Sequence, residues 1–198
     1  FPDIAHLIQV IEGSIACLQP GGRLFIGDIR SLGHLEAFHR TTFLYNNHQG
    51  VSERAITEKI KHEEELLIQA DFFEKFAQNH PALECAITQI RRGKHSNELT
   101  QFRYDTVLCK KGPQPISKLQ VAWLPWDEFA TQESIKGLLS NESHAYLAIQ
   151  GIPNVRLPYF RNKLGEVTYP AVDPEILSCL AEELGYQCII NWSKKDFL

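Results

Sequence analysis

The chain of 198 residues lacks methionine, a Cys-x-x-Cys pair, a long apolar run and a basic block. The absence of any initiator methionine, with an opening already helical in pattern, predicts a segment of a larger multidomain protein. Five scattered cysteines argue against a disulfide or zinc framework and favour reduced thiols in the cytoplasm. No apolar run reaches the roughly 18 residues that a membrane span requires, and no signal peptide is recognisable at the start.

The composition is that of an ordinary globular protein, with 43% apolar and 22% charged residues. The length suits one domain, or one domain and part of another. The formal net charge is −4, and Arg91, Arg92 and Lys94 form only a short basic group. Because phosphate binding needs a broader basic face, we expect no nucleic-acid partner.

The first thirty residues predict a helix, a turn and a buried strand. Apolar residues recur at helical spacing from Ile4 to Leu18, with Asp3 as N-cap, and Pro20-Gly21-Gly22 ends the helix. Residues 23–29 follow as a strand that is apolar enough to be buried on both faces. Helix, glycine turn and buried strand form half of a βαβ unit, which predicts an α/β fold with a parallel sheet covered by helices.

Three further helices are predicted before residue 80. Residues 32–45 form the first. Ser52 caps a long charged helix that reaches about Gln69, and its run EKIKHEEE is interpreted as a solvated face. Residues 71–78 form one or two further helical turns.

Two strands, residues 85–91 and 102–109, flank the segment RGKHSNELTQ. This segment is longer than the 2–5 residues usual for a hairpin loop, and long loops on rigid strands often carry binding groups. Alternation places Phe102 and Tyr104 on one face and Arg103 and Asp105 on the other, so the four cannot all reach one pocket.

A shift in composition after residue 112 divides the chain into residues 1–112 and 113–198. The second part predicts short strands within LQVAWLPW and AYLAIQGIPNVRL, with a helix over residues 133–141 between them. It ends in a helix, a turn and a strand. Asp173 caps that helix, Pro174 takes its first position and Gly185 terminates it.

In an open α/β sheet, ligands bind at the carboxyl ends of the strands, and Gly27, Asp28 and Arg30 lie at such an end. With the late hairpin, this arrangement resembles the C-terminal half of a class I, Rossmann-like methyltransferase that depends on S-adenosylmethionine. Four stretches are similar to the methyltransferase domains embedded in nonribosomal peptide synthetases, and they cover nearly the whole chain: FPDIAHLIQVIEGSIACLQPGGRLFIGDIRSLGHLEAFH, EEELLIQADFF, RRGKHSNELTQFRYDTVL, and GIPNVRL followed by VDPEILSCLAEELGYQCIINWS.

The resemblance implies a cytoplasmic enzyme that methylates the amine of an aminoacyl group tethered to a peptidyl carrier domain, with adenylation and carrier domains as neighbours. Its cofactor would be S-adenosylmethionine, and no metal is implied. Two family features, a glycine-rich loop after strand one and an acid after strand two, are absent from these residues, and Phe1-Pro2 would directly follow strand four. We therefore expect the C-terminal part of the domain, which by itself binds the cofactor weakly or not at all.

Asn97 and Glu98 are the leading catalytic candidates. Methyl transfer to an amine needs a group that orients the lone pair and accepts the proton. Asn97 could hold the carbonyl or the amine, and Glu98 could take the proton; an exposed turn is the alternative, since Asn and Ser are common in turns. His39 is a further candidate base or hydrogen-bond donor, with a structural role as its alternative.

The remaining candidates are substrate contacts and cofactor contacts: Arg30, Arg103 and Tyr104 for the substrate, and Phe1, Pro2 and Asp28 for the cofactor. Gly27 is predicted to turn the chain so that Asp28 and Arg30 project into the pocket. Alternatively, these two residues pair with each other or cap the next helix. For Arg103, an ion pair to a carboxylate that only fixes the loop is equally consistent.

Two other functions stay open at this point. A C-methyltransferase of a polyketide-type module would share the fold and the cofactor. A non-catalytic module that spaces or docks its neighbours would share the fold alone. The methylated amino acid and the oligomeric state are not set by the sequence.

Overall fold

The computed structural model describes residues 1–46, 52–113, 123–126, 132–140, 148–152, 154, 156, 172–185 and 187–190. Its first helix and strand confirm the predicted opening. Helix α1 spans Ile4–Cys17, and the Asp3 carboxylate caps it by accepting the His6 N–H at 2.7 Å. Strand β1 spans Arg23–Ser31. Every fourth residue of α1 faces the core: Leu7, Ile11 and Ile15.

Strand β1 lies inside a four-stranded sheet of order β2–β1–β4–β3. The other strands are β2 (Leu67–Ile68), β3 (Leu83–Ile90) and β4 (Arg103–Lys110). β1 is parallel to β2 and antiparallel to β4, which pairs antiparallel with β3. The predicted interior strand and antiparallel hairpin are confirmed, although β1–β2 is the one parallel pair within this four-stranded sheet. This α/β architecture is compatible with half of a Rossmann-like methyltransferase.

The prediction that β1 is buried on both faces is wrong for its first half. Leu24 and Ile26 pack against the core, whereas the intervening Phe25 is 63% exposed. Three consecutive apolar residues resemble a fully buried strand, but successive side chains of a strand point to opposite faces. In the part of the chain that the structure describes, only one of those faces is covered over this stretch.

Three helices pack around the sheet and confirm the predicted helical segments in part. A 3-10 turn at Leu32–His34 leads into α2, which spans Leu35–Asn46. α3 spans Glu53–Lys61, and α4 spans Phe72–Asn79. The predicted cap of α3 is confirmed, because the Ser52 hydroxyl accepts the Ala55 N–H at 3.4 Å.

The extension of α3 to Gln69 is wrong, because the helix ends at Lys61. Residues 67 and 68 form β2 instead, and Ile68 pairs with Ser31 at the end of β1. The apolar run Leu66-Leu67-Ile68 gains more from burial against the sheet than from continuing an exposed helix, and Ile68 is buried. The acidic residues before it are therefore carried to the carboxyl end of β1.

The segment between β3 and β4 is not irregular throughout. Its last five residues form a short helix, α5, over Glu98–Phe102. Phe102 is the last residue of α5 and is buried. The edge of its ring packs against the Phe38 ring, with the two centroids 5.7 Å apart. The predicted loop thus shortens to residues 91–97, and the candidate pair Asn97 and Glu98 stands at the start of a helix.

A second apolar cluster is formed by residues beyond 113. Strand β5 (Trp123–Pro125) is parallel to β6 (Ala148–Gln150), and helices α6 (Gln132–Ser140) and α7 (Pro174–Glu183) accompany them. These elements confirm the additional α/β segment. Its buried core consists of Ile135, Val172, Leu177 and Leu180.

The predicted ends of α7 are confirmed. The Asp173 carboxylate accepts the Glu175 N–H at 2.8 Å, and Gly185 follows the helix with φ +82°. The strand predicted after it is not found over residues 187–190, which have no regular secondary structure. Ile190 nevertheless lies beside β3, since its carbonyl accepts the Ile90 N–H at 2.6 Å. The rest of that predicted strand, with Trp192, lies outside the described residues.

Candidate functional site

The carboxyl end of β1 begins with a bulge at Asp28. The ladder to β4 is in register at Ile26 and Ile29 but shifts between them. Asp28 has φ +63°, a left-handed conformation that aspartate tolerates better than most residues. Its N–H donates to the Asp105 carboxylate at 2.8 Å. The turn predicted at Gly27 is therefore made by Asp28, while a Cβ on Gly27 would lie only 2.6 Å from the Phe25 ring.

Beyond the bulge, Arg30 is buried with two carboxylates. Its Nη1 donates to Glu63 Oε1 and to Glu65 Oε2, each at 3.0 Å, and only 6% of the residue is exposed. The guanidinium also lies over the Phe38 ring, 3.8 Å from its centroid. Among the described residues, Nε and Nη2 of Arg30 have no hydrogen-bond acceptor. A buried cation of this kind depends on its carboxylates and its aromatic neighbour.

Glu63 joins Arg30 to His39. His39 Nε2 lies 3.0 Å from Glu63 Oε2. Burial, helped by the nearby Arg30 charge, lowers the pKa of His39 despite the attraction of Glu63. Burial would raise the pKa of Glu63, but the Glu65 N–H, Arg30 and His39 together hold it below its usual value. At neutral pH the imidazole is therefore neutral, and its Nε2–H donates to a charged carboxylate, which leaves Nδ1 as the basic atom.

Arg103 approaches the same carboxylates from β4. Its Nη1 and Nη2 donate to the two oxygens of Glu65 at 2.6 and 3.1 Å, and Nη1 also donates to the Asp28 carbonyl at 3.2 Å. The Asp28 carboxylate is paired with Arg91. Asp28 and Arg30 pair with different partners and not with each other. We call Asp28, Arg30, His39, Glu63, Glu65 and Arg103 the Arg30 cluster.

Tyr104 is placed on the opposite side of β4 from Arg103. It is completely buried, and its hydroxyl lies 3.1 Å from the carbonyls of both Ile68 and Gln69. Burial raises the pKa of Tyr104 above its usual value. The predicted alternation is confirmed for Arg103, Tyr104 and Asp105, whereas Phe102 is the last residue of α5 and not part of the strand. The structure does not bring Tyr104 together with the Arg30 cluster.

Asn97 and Glu98 form the N-terminus of α5. Asn97 Oδ1 accepts the N–H groups of Leu99 and Thr100 at 3.1 and 3.2 Å, and Thr100 Oγ1 accepts the Asn97 N–H at 3.1 Å. This reciprocal capping box fixes Asn97 and leaves its NH₂ group available as a donor. Glu98 is exposed, and its carboxylate makes no hydrogen bond or ion pair to any residue that the structure describes.

The cofactor candidates are scattered. Phe1 and Pro2 are exposed ahead of α1, and the Phe1 ring lies 6.0 Å from the His6 ring. Asp28 is the one acid among these candidates, and Arg91 already pairs with it. Within the described ranges, no group of three or more metal-ligating side chains is present, and no described helix has the length and apolarity of a membrane span.

The sequence interpretation missed Glu63 and Glu65. Both fall in the acidic run interpreted as a solvated helix face, yet the Glu63 side chain is only 13% exposed. The available signal was the apolar triplet directly after the run, which is typical of a short strand and would have placed these acids at the edge of the sheet. Their arginine partners lie 33 to 38 residues away in the sequence, which local patterns do not reveal.

Comparison with known proteins finds relatives among the peptide synthetases. Chondramide synthase cmdD of Chondromyces crocatus is 34% identical over 166 residues, which is 79% of this chain. The probable non-canonical nonribosomal peptide synthetase CymA of Salinispora arenicola is 29% identical over the whole chain, and the nonribosomal peptide synthetase penN of Penicillium thymicola is 27% identical over 98% of it.

The chain spans only 4%, 2% and 8% of the lengths of these three relatives. No family model matches it. The chain is therefore homologous to a small region of nonribosomal peptide synthetases, which are multidomain enzymes.

Proposed function

We propose that the chain is the acceptor-side, C-terminal part of an N-methyltransferase domain in a nonribosomal peptide synthetase. The substrate is an aminoacyl group on a peptidyl carrier domain, and adenylation and carrier domains are its neighbours in a cytoplasmic assembly. Similarity to synthetases along the whole chain and a sheet compatible with half of a Rossmann-like methyltransferase support this proposal.

S-adenosylmethionine would supply the methyl group when the complete domain holds it. The described residues offer no cradle for this cofactor, because the Asp28 carboxylate is paired with Arg91 and Phe1 and Pro2 are exposed. The part of the reaction proposed for this chain is therefore confined to the acceptor amine.

The observation that carries the proposal is the exposed Glu98 carboxylate, which has no partner among the described residues, beside the capping residue Asn97. An α-amino group has a pKa of about 7.7–8.0, so a useful fraction is neutral in the cell and a strong base is unnecessary. Glu98 accepts the proton that the amine loses, and the Asn97 NH₂ group holds the acyl carbonyl. His39, whose Nε2–H is committed to Glu63, has only Nδ1 left for such a role.

Arg30 and Arg103, predicted as substrate contacts, have a different role in this proposal. The Arg30 guanidinium pairs with Glu63 and Glu65, and the Arg103 guanidinium pairs with Glu65, so both hold the end of the sheet in position and do not neutralise a substrate charge. Tyr104, which is completely buried, contributes to the stability of the core and does not contact the substrate in this proposal.

Glu98→Gln in the complete domain tests the proposal. This change keeps size and hydrogen bonding but removes the charge that accepts the proton, so methylation should slow by roughly 10²-fold, within the usual range for a positioned acid–base group. Single-turnover methylation of an aminoacyl-loaded carrier protein measures that rate, and calorimetric titration should show unchanged cofactor affinity.

Near-normal turnover in the Gln variant would reduce Glu98 to a surface residue. A wild-type domain that never methylates any loaded carrier would instead favour a spacer module. Transfer to carbon in place of nitrogen would favour a C-methyltransferase.

A further inference from the structure

The peptide at Gly93, in the loop between β3 and α5, is held from both sides by the C-terminal segment. Its N–H donates to Glu175 Oε2 at 3.0 Å, and its carbonyl accepts a hydrogen bond from Arg156 Nη2 at 2.7 Å. Both partners follow residue 113, whereas the loop belongs to the hairpin of the sheet.

Each partner is itself fixed. Arg156 is only 2% exposed, and its Nη2 also donates to Asp173 Oδ1 at 2.5 Å. Asp173 in turn caps α7. Glu175, in the first turn of α7, accepts from Arg92 Nη2 at 2.9 Å. The hydrogen bond from Arg92 lowers the pKa of Glu175, so the carboxylate that binds Gly93 is charged at neutral pH.

Gly93 is in turn packed against the cap of α5. A Cβ at Gly93 would lie 2.7 Å from Thr100 Cγ2, so any larger residue here would force Thr100 or the loop to shift. Thr100 is 5% exposed, and its Oγ1 donates to the His95 carbonyl at 2.7 Å while accepting the Asn97 N–H. A displacement of Gly93 would therefore disturb the group that holds Asn97.

We infer that Glu175 and Arg156 are positioning residues for the Asn97–Glu98 cap, so that the C-terminal segment sets the geometry of the acceptor site without touching the substrate. The inference rests on the proposed function for its kinetic consequence. The ordering of the loop by Glu175 is a separate physical claim that can be measured without any methylation.

Glu182 supplies a matched control, because it pairs with the same Arg92 from the other end of α7, whereas the Gly93 N–H donates to Glu175. Glu175→Ala, Glu175→Gln and Glu182→Ala are made in the full-length protein. Hydrogen exchange is read on the peptide covering residues 91–102, and single-turnover methylation and cofactor affinity are measured in parallel.

Glu175→Ala should speed exchange in residues 91–102 and slow methylation, each by roughly tenfold, as expected for the loss of one charge-assisted hydrogen bond. Cofactor affinity should stay unchanged. Glu175→Gln retains an oxygen that can accept the Gly93 N–H, so its hydrogen exchange and its methylation rate should stay close to those of the wild type. Glu182→Ala should match the wild type in both.

Unchanged exchange in Glu175→Ala, or equal effects of Glu175→Ala and Glu182→Ala, would overturn the inference. Faster exchange with normal turnover would overturn the kinetic part of the inference, because Glu175 would then order the loop without affecting the acceptor site. If Glu98→Gln keeps full turnover, the proposed function fails, while exchange still decides whether Glu175 orders the loop.

Discussion

The Arg30 cluster and the Asn97–Glu98 cap are both linked to Phe38, but they differ in whether their charges have partners. Arg30 lies over the Phe38 ring, and the same ring meets Phe102 at the end of α5. Every charged member of the Arg30 cluster has an oppositely charged partner, and Arg30 and His39 are buried. Glu98 is exposed and has no such partner among the described residues.

This difference separates charges that hold the structure from charges available for chemistry. A paired, desolvated group cannot leave its partner without leaving the other ion buried and unpaired, so its removal is expected to destabilise the fold. An exposed carboxylate without a partner contributes almost nothing to stability. Glu98 stands in the first turn of α5, where the helix dipole slightly favours a carboxylate, and its exposure leaves it accessible for the proposed acceptor role.

The largest effect is expected from breaking the Arg30 cluster. Glu63→Ala leaves Arg30 and His39 without their shared carboxylate, so the free energy of unfolding should fall by about 3 kcal/mol, the lower end for a broken buried pair. Urea denaturation measures this. The neighbouring Glu64→Ala is the control, because Glu64 is exposed and should change stability by less than about 0.5 kcal/mol. Equal losses of stability from Glu63→Ala and Glu64→Ala would contradict the structural role assigned to the Arg30 cluster.

Acid should weaken the same end of the sheet. His34, in the turn after β1, is 4% exposed, and burial lowers its pKa from 6.5 to about 4. Above pH 6.5 the imidazole is neutral in the folded and the unfolded chain. As the pH falls through 6.5, only the unfolded state takes up the proton, so stability is lost from there down to about pH 4.

Between pH 7.5 and 5.0 this histidine should lower the unfolding free energy by about 2 kcal/mol. Urea midpoints at the two pH values measure the loss. His34→Gln should be less stable at pH 7.5 but should show a smaller pH-dependent decrease. An unchanged decrease in that variant would mean that other groups, such as His39, dominate the acid response.

A smaller effect on stability should come from the cap, where two roles of Asn97 can be separated. Asn97→Ala removes the acceptor for the Leu99 and Thr100 N–H groups and should cost about 1 kcal/mol. Asn97→Asp keeps that acceptor and should be nearly as stable as the wild type. The Asn97→Asp variant lacks the NH₂ group that is proposed to hold the acyl carbonyl, so its methylation should still slow by roughly tenfold.

Thermal denaturation and single-turnover kinetics of the two Asn97 variants, side by side, test this separation. If Asn97→Asp methylates at the normal rate, the residue is only a helix cap. Glu98 would then be the only residue of the cap proposed to act on the substrate.

Local signals predicted much of the fold. The caps at Asp3, Ser52 and Asp173 are confirmed, because each depends on a side chain bonding backbone N–H groups two or three residues away. The alternation of Tyr104 against Arg103 and Asp105 is confirmed for the same reason, since period-two geometry is a property of the strand itself, whereas Phe102 belongs to α5.

The errors arose where distant partners outweighed local preference. The charged run after Ser52 is locally helical, but it stops at Lys61 because the following apolar residues join the sheet beside β1. Gly27 is the residue that a turn would favour, but the ladder to β4 places the bulge at Asp28, whose N–H finds the Asp105 carboxylate. The helix α5 was hidden in a segment too short and polar to show a period.

By itself the sequence determined most of the helices and strands, the caps at the starts of α1, α3 and α7, and the resemblance to synthetase-embedded methyltransferases, since these depend on contacts within a few residues or on long matching stretches. Only the tertiary structure decided that Arg30 and Arg103 are neutralised by Glu63 and Glu65, that Tyr104 is a core residue and that Gly93 is clamped by Glu175 and Arg156. The residues joined by these contacts are 33 to 82 positions apart in the sequence. The free energy of a charge depends on the burial and partners that folding brings to it, and neither is encoded in its neighbours along the chain.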